Sequence, residues 1–477
     1  MLQNNILLNT DSYKITHWNQ LKKGTTKLVS YLEARKGAAF NETIFFGLQY
    51  YLQFLSGVVF TQQHIDEAAA FSTNHFGNNN SFNKIGWELL LKKYGGKLPL
   101  KIKAVKEGTL VPIENVLMTI ENTDPDFPWL TNYVESFLMK VWYPISVSTI
   151  SFFCKRIIMD GIIKSNANTD HIKYALNDFG YRGVSSEESA KLGGMAHLVH
   201  FYGTDNITSI IAANHFYNTE DFKMYGTKMY GNSVTATEHS IALSFGPNEG
   251  EIAYIEHLLE KFPEGILSIV IDTYNAFKFI DKICLFKEKI LQRNGKIVLR
   301  PDSGDPIEII LFILNKLWDE FGGTTKNGFK LLNPKLGIIQ GDGINIQSLE
   351  KITEILIQQK WSLQNIVFGS GGGLLQSTNR DTNRFAIKPC IIEINGVEIP
   401  VSKHPINDDS KVSKAGNLKL IKNNNHLLPH FYTISSLNMD KNLFNNFQDE
   451  LELVFENGEL NRFQSFDEIR NIAFSYL

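Results

Sequence analysis

The sequence predicts an α/β protein built around a parallel sheet, closed or open, and three observations predict it. Four short apolar runs end in a small or acidic residue, at Asp272, Asp302, Asp342 and Ser370, so their ends recur every 28 to 40 residues. Between them lie amphipathic segments with helical spacing, such as Leu349, Ile352 and Leu356, and the run from Ile309 to Leu317. Strand and helix alternating at that interval make right-handed βαβ units, in which ligands sit at the carboxyl ends of the strands. At 477 residues the chain is also too long for one small domain.

The first 150 residues read as a second, α+β region. Leu100-Lys101-Ile102-Lys103-Ala104-Val105 alternates apolar and basic residues as a half-exposed strand does, and Tyr133, Phe137 and Val141 keep helical spacing until Pro144 interrupts it. From about Val397 the helical alternation fades into polar, strand-like sequence. The expected division is therefore one α/β domain from residues 1–150 together with 395–477, and a second from 151–394.

Charge narrows the function classes. The 47 Lys and Arg against 50 Asp and Glu give a net charge of −3, which leaves no broad basic surface for a nucleic-acid backbone. No charged n-region precedes an apolar core at the start, and no uninterrupted apolar run approaches the roughly 18 residues of a membrane span. A cytoplasmic protein with neither a nucleic-acid nor a membrane partner is expected. Cys154, Cys284 and Cys390 are too far apart in sequence for a Cys-x-x-Cys pair and read as small buried hydrophobes. Residues 380–422 carry eight Lys and Arg against five Asp and Glu, as suits one highly charged small substrate.

Several segments place chemistry at strand ends. Asp178-Phe179-Gly180-Tyr181-Arg182-Gly183 precedes Ser185-x-x-Glu188, which has the spacing of a capping box, so Arg182 and a helix N-terminus would favour an anion. Asp205 closes another apolar run, as a helix cap or a ligand contact. His239 follows Glu238, a carboxylate able to orient its ring. Arg300-Pro301-Asp302-Ser303-Gly304-Asp305-Pro306 sets a cation and two anions in a rigid turn. There Asp305 and Pro306 start a helix, which leaves Arg300 and Asp302 free for phosphate, sugar hydroxyls or Mg²⁺. Gln340-Gly341-Asp342-Gly343 sets two flexible residues and a carboxylate at the next strand end, as a site or a simple loop, and Gly369-Ser370-Gly371-Gly372-Gly373 offers backbone that a phosphate can approach, with Arg380 seven residues past Gly373.

Together with Asp11-Ser12-Tyr13-Lys14, Gly47-Leu48-Gln49-Tyr50, Glu121 to Pro125 and Ser465 to Arg470, these segments resemble, in order and nearly end to end, the nicotinamide phosphoribosyltransferases of bacteria, phages and vertebrates. The resemblance implies an irregular (β/α) barrel of the type II phosphoribosyltransferase kind, plus a second α/β domain formed by both chain ends, in a homodimer with shared active sites. It also implies a pentosyltransferase of NAD biosynthesis that moves 5-phosphoribosyl from phosphoribosyl pyrophosphate to nicotinamide, giving nicotinamide mononucleotide and pyrophosphate. Mg²⁺ would be the cofactor and ATP a coupling substrate acting through a phosphohistidine.

By the same resemblance Phe179 and a Tyr13 from the partner subunit sandwich the pyridine ring, Asp205 accepts the amide N–H, and Arg300 meets the carboxamide or the sugar. Ser233 joins the substrate-binding set. Arg182 and His239 receive the pyrophosphate, and His239 is the residue phosphorylated. Asp302 takes the ribose hydroxyls and Mg²⁺, possibly through water. Gly341, Asp342, Gly372 and Arg380 meet the 5′-phosphate, and Lys388, Lys403 and Lys411 lie near the phosphates. Asn275, Asn177 and Ile271 depart from the vertebrate aspartate, histidine and serine. The rival readings are a nicotinate phosphoribosyltransferase and a nucleotide-binding signalling protein without turnover.

Overall fold

The computed structural model describes residues 5–218, 228–406, 411–423 and 430–477, and the chain divides into two compact units. The first comprises Met1–Thr149, a short segment beginning at His215, and Thr378–Leu477. Its centre is a seven-stranded antiparallel sheet in the order Val397–Pro400, Phe385–Ile394, Thr25–Ala34, Val116–Asn122, Leu100–Ala104, Glu452–Glu456 and Glu459–Leu460. Three adjacent strands from the first part of the chain are flanked on each side by two strands from the last part, which is why neither end makes a domain alone. Lys101 and Lys103 point away from the core while Leu100, Ile102 and Ala104 are buried, as the alternation predicts.

The second boundary differs from the expected one. It falls at 377/378 because Phe385–Ile394 pairs along its length with Thr25–Ala34 and so belongs to the first unit's sheet. The His215 segment is a further addition. Tyr217 stacks on Phe46 at 5.4 Å and donates its hydroxyl to Glu107 at 3.0 Å. The Glu107 carboxylate also accepts the Gly47 and Gln49 amides at the start of helix Leu48–Leu55. Burial pushes the Glu107 carboxyl above the ordinary range against the pull of those donors.

Pro144 does not end the helix that precedes it. Helix Leu130–Met139 stops before Lys140, and Pro144 sits in the first turn of helix Trp142–Lys164, where its missing N–H costs nothing. Leu130–Lys164 is long and apolar enough by composition to cross a bilayer, contrary to the expectation from the run lengths. Of its most apolar window 72% is buried within the protein, as in a core helix.

The second unit, Ile150–Asn214 with Phe222–Ser377, is the α/β barrel. Its parallel strands are β1 (Leu176–Asp178), β2 (Gly203–Thr204), β3 (Thr235–Ala236), β4 (Glu264–Val270), β5 (Asn294–Arg300), β6 (Leu336–Gln340) and β7 (Ile366–Ser370). Hydrogen bonding runs β2-β1-β7-β6-β5-β4-β3, and the two edges of the curled sheet are joined by one parallel bridge, Gly203 to Asn232. Going round the barrel, the strands thus follow chain order. Helices occupy the crossovers, among them Pro306–Phe321 after β5 and Ile346–Gln358 after β6. The first starts as expected: Asp305 accepts the Ile307 and Glu308 amides ahead of Pro306. Ile269, Leu299, Ile338 and Phe368 are buried, one from each of the four adjacent strands β4 to β7.

Candidate active site

Parallel strands following chain order bring all seven carboxyl ends to one mouth, and a cleft of about 690 Å³ opens there. Phe179 follows β1, Asp205 follows β2, His239 follows β3, Arg300 ends β5 and Gly341 follows β6; each lines the cleft. Arg182, Ser233 and Asp302 line it too.

The ring of Phe179 lies over two glycines. A methyl group at Gly369 would stand 2.0 Å from Phe179 Cε2, and one at Gly341 would stand 3.3 Å from it. Two of the glycines read from sequence as phosphate-approach positions therefore make room for an aromatic face. Arg182 stands on the single turn Tyr181–Gly183 beside the next helix, Glu187–Leu198. The cap of that helix is Ser186, one residue later than the Ser185-x-x-Glu188 spacing suggested, because its hydroxyl takes the Ser189 amide while the Ser185 amide goes to Gln376. Asp205 accepts the Ser233 hydroxyl at 2.5 Å. It points into the cleft and makes no described cap bond to the following helix.

Around His239 the geometry is polar and directed. His239 Nε2 is 3.1 Å from Asp272 Oδ1, and Nδ1 is 4.0 Å from Asp302 Oδ2. Asp302 is held in turn by Arg300 Nη1 at 3.3 Å, while Arg300 Nη2 donates to the Thr237 carbonyl at 2.8 Å. Asp272, with a side chain only 5% exposed, also accepts the Asp302 amide and the Ser303 hydroxyl through Oδ2. The orienting carboxylate is thus Asp272. Glu238, the neighbour suggested by sequence, turns to the Ser240 hydroxyl.

Asp272 is a site residue that sequence reasoning missed as such, although it ends an apolar strand run just as Asp302 does. Ser268 is a second. Its buried hydroxyl lines the cleft and makes no hydrogen bond among the described residues, and Arg300 Nε is likewise without a partner there.

Two comparisons decide the family. Residues 174–459 match the nicotinate phosphoribosyltransferase (NAPRTase) family and residues 5–102 match the nicotinamide phosphoribosyltransferase N-terminal domain. The chain is 38% identical to a nicotinamide phosphoribosyltransferase of Xanthomonas campestris pv. campestris, over 98% of its own length and 97% of the relative's. The chain belongs to the nicotinamide phosphoribosyltransferase family. An Acinetobacter baylyi nicotinamide phosphoribosyltransferase is 31% identical over 96% of this chain and 95% of the relative. The fold is that of the nicotinate-nucleotide pyrophosphorylase of Pyrococcus furiosus, with a TM-score of 0.61 at 14% identity over 99% of this chain and 96% of that one.

Within this nicotinamide phosphoribosyltransferase, several expected site residues are not among those lining the barrel cleft. Asp342 and Gly372 lie one residue beyond the lining residues Gly341 and Gly371. Asp342 uses its carbonyl to accept Gln340 Nε2 at 3.0 Å. Tyr13, Arg380, Lys388 and Lys411 belong to the first unit. Tyr13 is 58% exposed there. Arg380 pairs with Asp381 at 3.2 Å. Lys388 faces Tyr31 across the sheet. Burial holds the Lys388 amine below the ordinary lysine range, and Arg35, Lys403 and Lys14 press the same way while Glu135 opposes them. Among the described residues no group of three or more His, Cys, Asp or Glu side chains is placed to enclose a metal ion.

The three departures from the vertebrate pattern have separate local roles. Asn275 caps helix Ala276–Cys284 by accepting the Lys278 amide at 3.0 Å, a task that an aspartate performs equally well. Asn177 lines the cleft and donates to the Phe368 carbonyl at 3.0 Å. Ile271 is fully buried and is not among the residues lining the cleft.

Proposed function

We propose that this enzyme transfers the 5-phosphoribosyl group of phosphoribosyl pyrophosphate to the ring nitrogen of nicotinamide, releasing nicotinamide mononucleotide and pyrophosphate. The observation that carries the reading is the convergence of Phe179, Asp205, Arg182, His239, Arg300 and Asp302 on one cleft at the barrel mouth. An aromatic face, an amide acceptor and cations for a departing anion are the three things this reaction asks of a protein.

Phe179 offers the pyridine ring a π-face. Asp205 accepts the carboxamide N–H, a charged hydrogen bond of about 1.5–3 kcal/mol, whereas nicotinate would bring a second anion to the same place. Asp205 therefore favours the amide over the acid. As the ribosyl C1–oxygen bond loosens, negative charge builds on the pyrophosphate, which Arg182 and His239 neutralise, while Arg300 meets the carboxamide or the sugar. Asp302 accepts ribose hydroxyls. Asp302, a carboxylate on the cleft wall, would hold Mg²⁺, possibly through water, and the ion would supply further positive charge to the departing pyrophosphate.

His239 is the residue proposed to take a phosphoryl group from ATP. A nitrogen–phosphorus bond forms, the bond to the ADP oxygen breaks, and later hydrolysis returns the histidine. With its Nε2 hydrogen given to Asp272, the imidazole keeps the Nδ1 lone pair open, so Nδ1 is the nitrogen to be phosphorylated. Arg380, Lys388, Lys403 and Lys411 are proposed to lie near the phosphates, and Tyr13 is proposed to serve the cleft of a second copy in a cytoplasmic homodimer. The exposure of Tyr13 supports that assignment.

Product formation from nicotinamide and phosphoribosyl pyrophosphate, with and without ATP, tests the reading. A kcat/KM favouring nicotinate would overturn the role given to Asp205. Turnover unchanged by ATP, with no acid-labile phosphate on the protein, would remove the phosphohistidine.

A further inference from the structure

Asp178 is the last residue of β1 and is completely buried, yet no cation pairs with it among the described residues. Three of its atoms are spoken for. Oδ1 accepts the Gly180 amide at 2.7 Å, an Asx turn that wraps around Phe179. Oδ2 accepts Asn206 Nδ2 at 3.1 Å, and the main-chain oxygen accepts the Asp205 amide at 2.9 Å. Asn206, also fully buried, is fixed further by the Ala190 carbonyl and the Thr204 and Thr208 hydroxyls.

We propose that Asp178 is the positioning residue for base recognition, the tie that sets the spacing between the aromatic face of Phe179 and the carboxylate of Asp205. The inference rests on the reading that these two residues hold the nicotinamide. Phe179 lies between Asp178 and Gly180, and Asp205 lies between Thr204 and Asn206, so the tie grips the chain immediately beside both contacts. Only a carboxylate presents acceptor oxygens to donors on opposite sides. An asparagine would turn its own N–H₂ toward that of Asn206. An unpaired buried charge is costly, and burial pushes the Asp178 carboxyl up to about 6. A plain structural acceptor would be neutral; the charge is kept for the double grip.

The test compares Asp178→Asn, Asn206→Ala and the double variant in the full-length enzyme, each checked for thermal unfolding. Asp178→Asn is expected to raise the KM for nicotinamide about tenfold, the loss of one charged hydrogen bond, with kcat and the KM for phosphoribosyl pyrophosphate within about twofold. Asn206→Ala should move the same constant the same way, and the double variant should be no worse than the worse single one. Asn206→Ala alone carries the test if Asp178→Asn does not fold. Movement of kcat and both KM values together, or additive effects, would overturn the inference. Phe179→Ala separates this inference from the reading beneath it. If Phe179→Ala leaves the nicotinamide KM unchanged, the base site itself is misassigned and the positioning role falls with it. If Phe179→Ala raises that KM while the Asp178 and Asn206 variants do not, only the positioning role falls.

Discussion

His239 Nε2 and Asp272 Oδ1 lie 3.1 Å apart, between the residue that follows β3 and the one two positions past β4. The other oxygen of the same carboxylate holds the Asp302 amide, so one buried group sets both the imidazole tautomer and the backbone of the carboxylate proposed to bind ribose.

Asp272→Asn should therefore damage phosphorylation more than transfer. The amide can present its N–H₂ to Nε2 and impose the opposite tautomer, for which a loss of about 10⁴ in rate has a precedent in hydrolytic triads. Labelling with ATP and measuring acid-labile phosphate, with His239→Ala as the blank, reads the effect. The rate without ATP is expected to fall far less.

Asp205→Asn should erode the preference for the amide substrate. The ratio of kcat/KM for nicotinamide to that for nicotinate is expected to drop about tenfold or more, the equivalent of one charged hydrogen bond. A variant that kept full discrimination would show that the selector lies elsewhere, and the unpartnered Ser268 hydroxyl would be the next candidate.

Gly369→Ala places a methyl group 2.0 Å from the Phe179 ring, which must move. Overpacking of this kind costs about 1–3 kcal/mol, so the unfolding midpoint should fall by a few degrees. The KM for nicotinamide should rise while that for phosphoribosyl pyrophosphate stays near the parent value.

Asp178 gives stability a pH dependence of stated sign. Its carboxyl is raised to about 6 in the folded protein, against about 4 for a free aspartate, so the folded state takes up the proton first. Its contribution is fully present below pH ~4 and is lost as pH rises through about 6. Urea unfolding from pH 4 to pH 7 should show the parent losing on the order of 2–3 kcal/mol relative to Asp178→Asn, whose side chain does not titrate. Parallel curves would mean that Asp178 ionises as it does in the unfolded chain.

The longer strands and their terminal residues were legible because each has at least five residues and holds an apolar run that stops abruptly. β1, β2 and β3 have only two or three residues each, too few for any periodicity, so Asp178, Asp205 and His239 had to be reached through neighbouring motifs. Asp272 stood in view as a strand-end acid, but its work is visible only once β4 lies next to β3. The first unit was hardest to read. Thr25 pairs with Ile394 and Leu100 with Asn122, and no local pattern tells strands which distant partner they have. Glu107 shows the same limit, since its partners include main-chain amides at Gly47 and Gln49, which no side-chain spelling announces.

The barrel has a seam. Every other pair of neighbouring strands shares a ladder, but between β2 and β3 the staves are stitched mainly by the amides of Thr204 and Asn232. Those amides should trade hydrogen for deuterium before any others in the sheet. Asp205 and Ser233 are the next residues along the two threads, so the place where the wall parts most easily also holds the proposed selector of the amide over the acid. Fidelity toward the base would then soften with heat or mild denaturant well before turnover is lost.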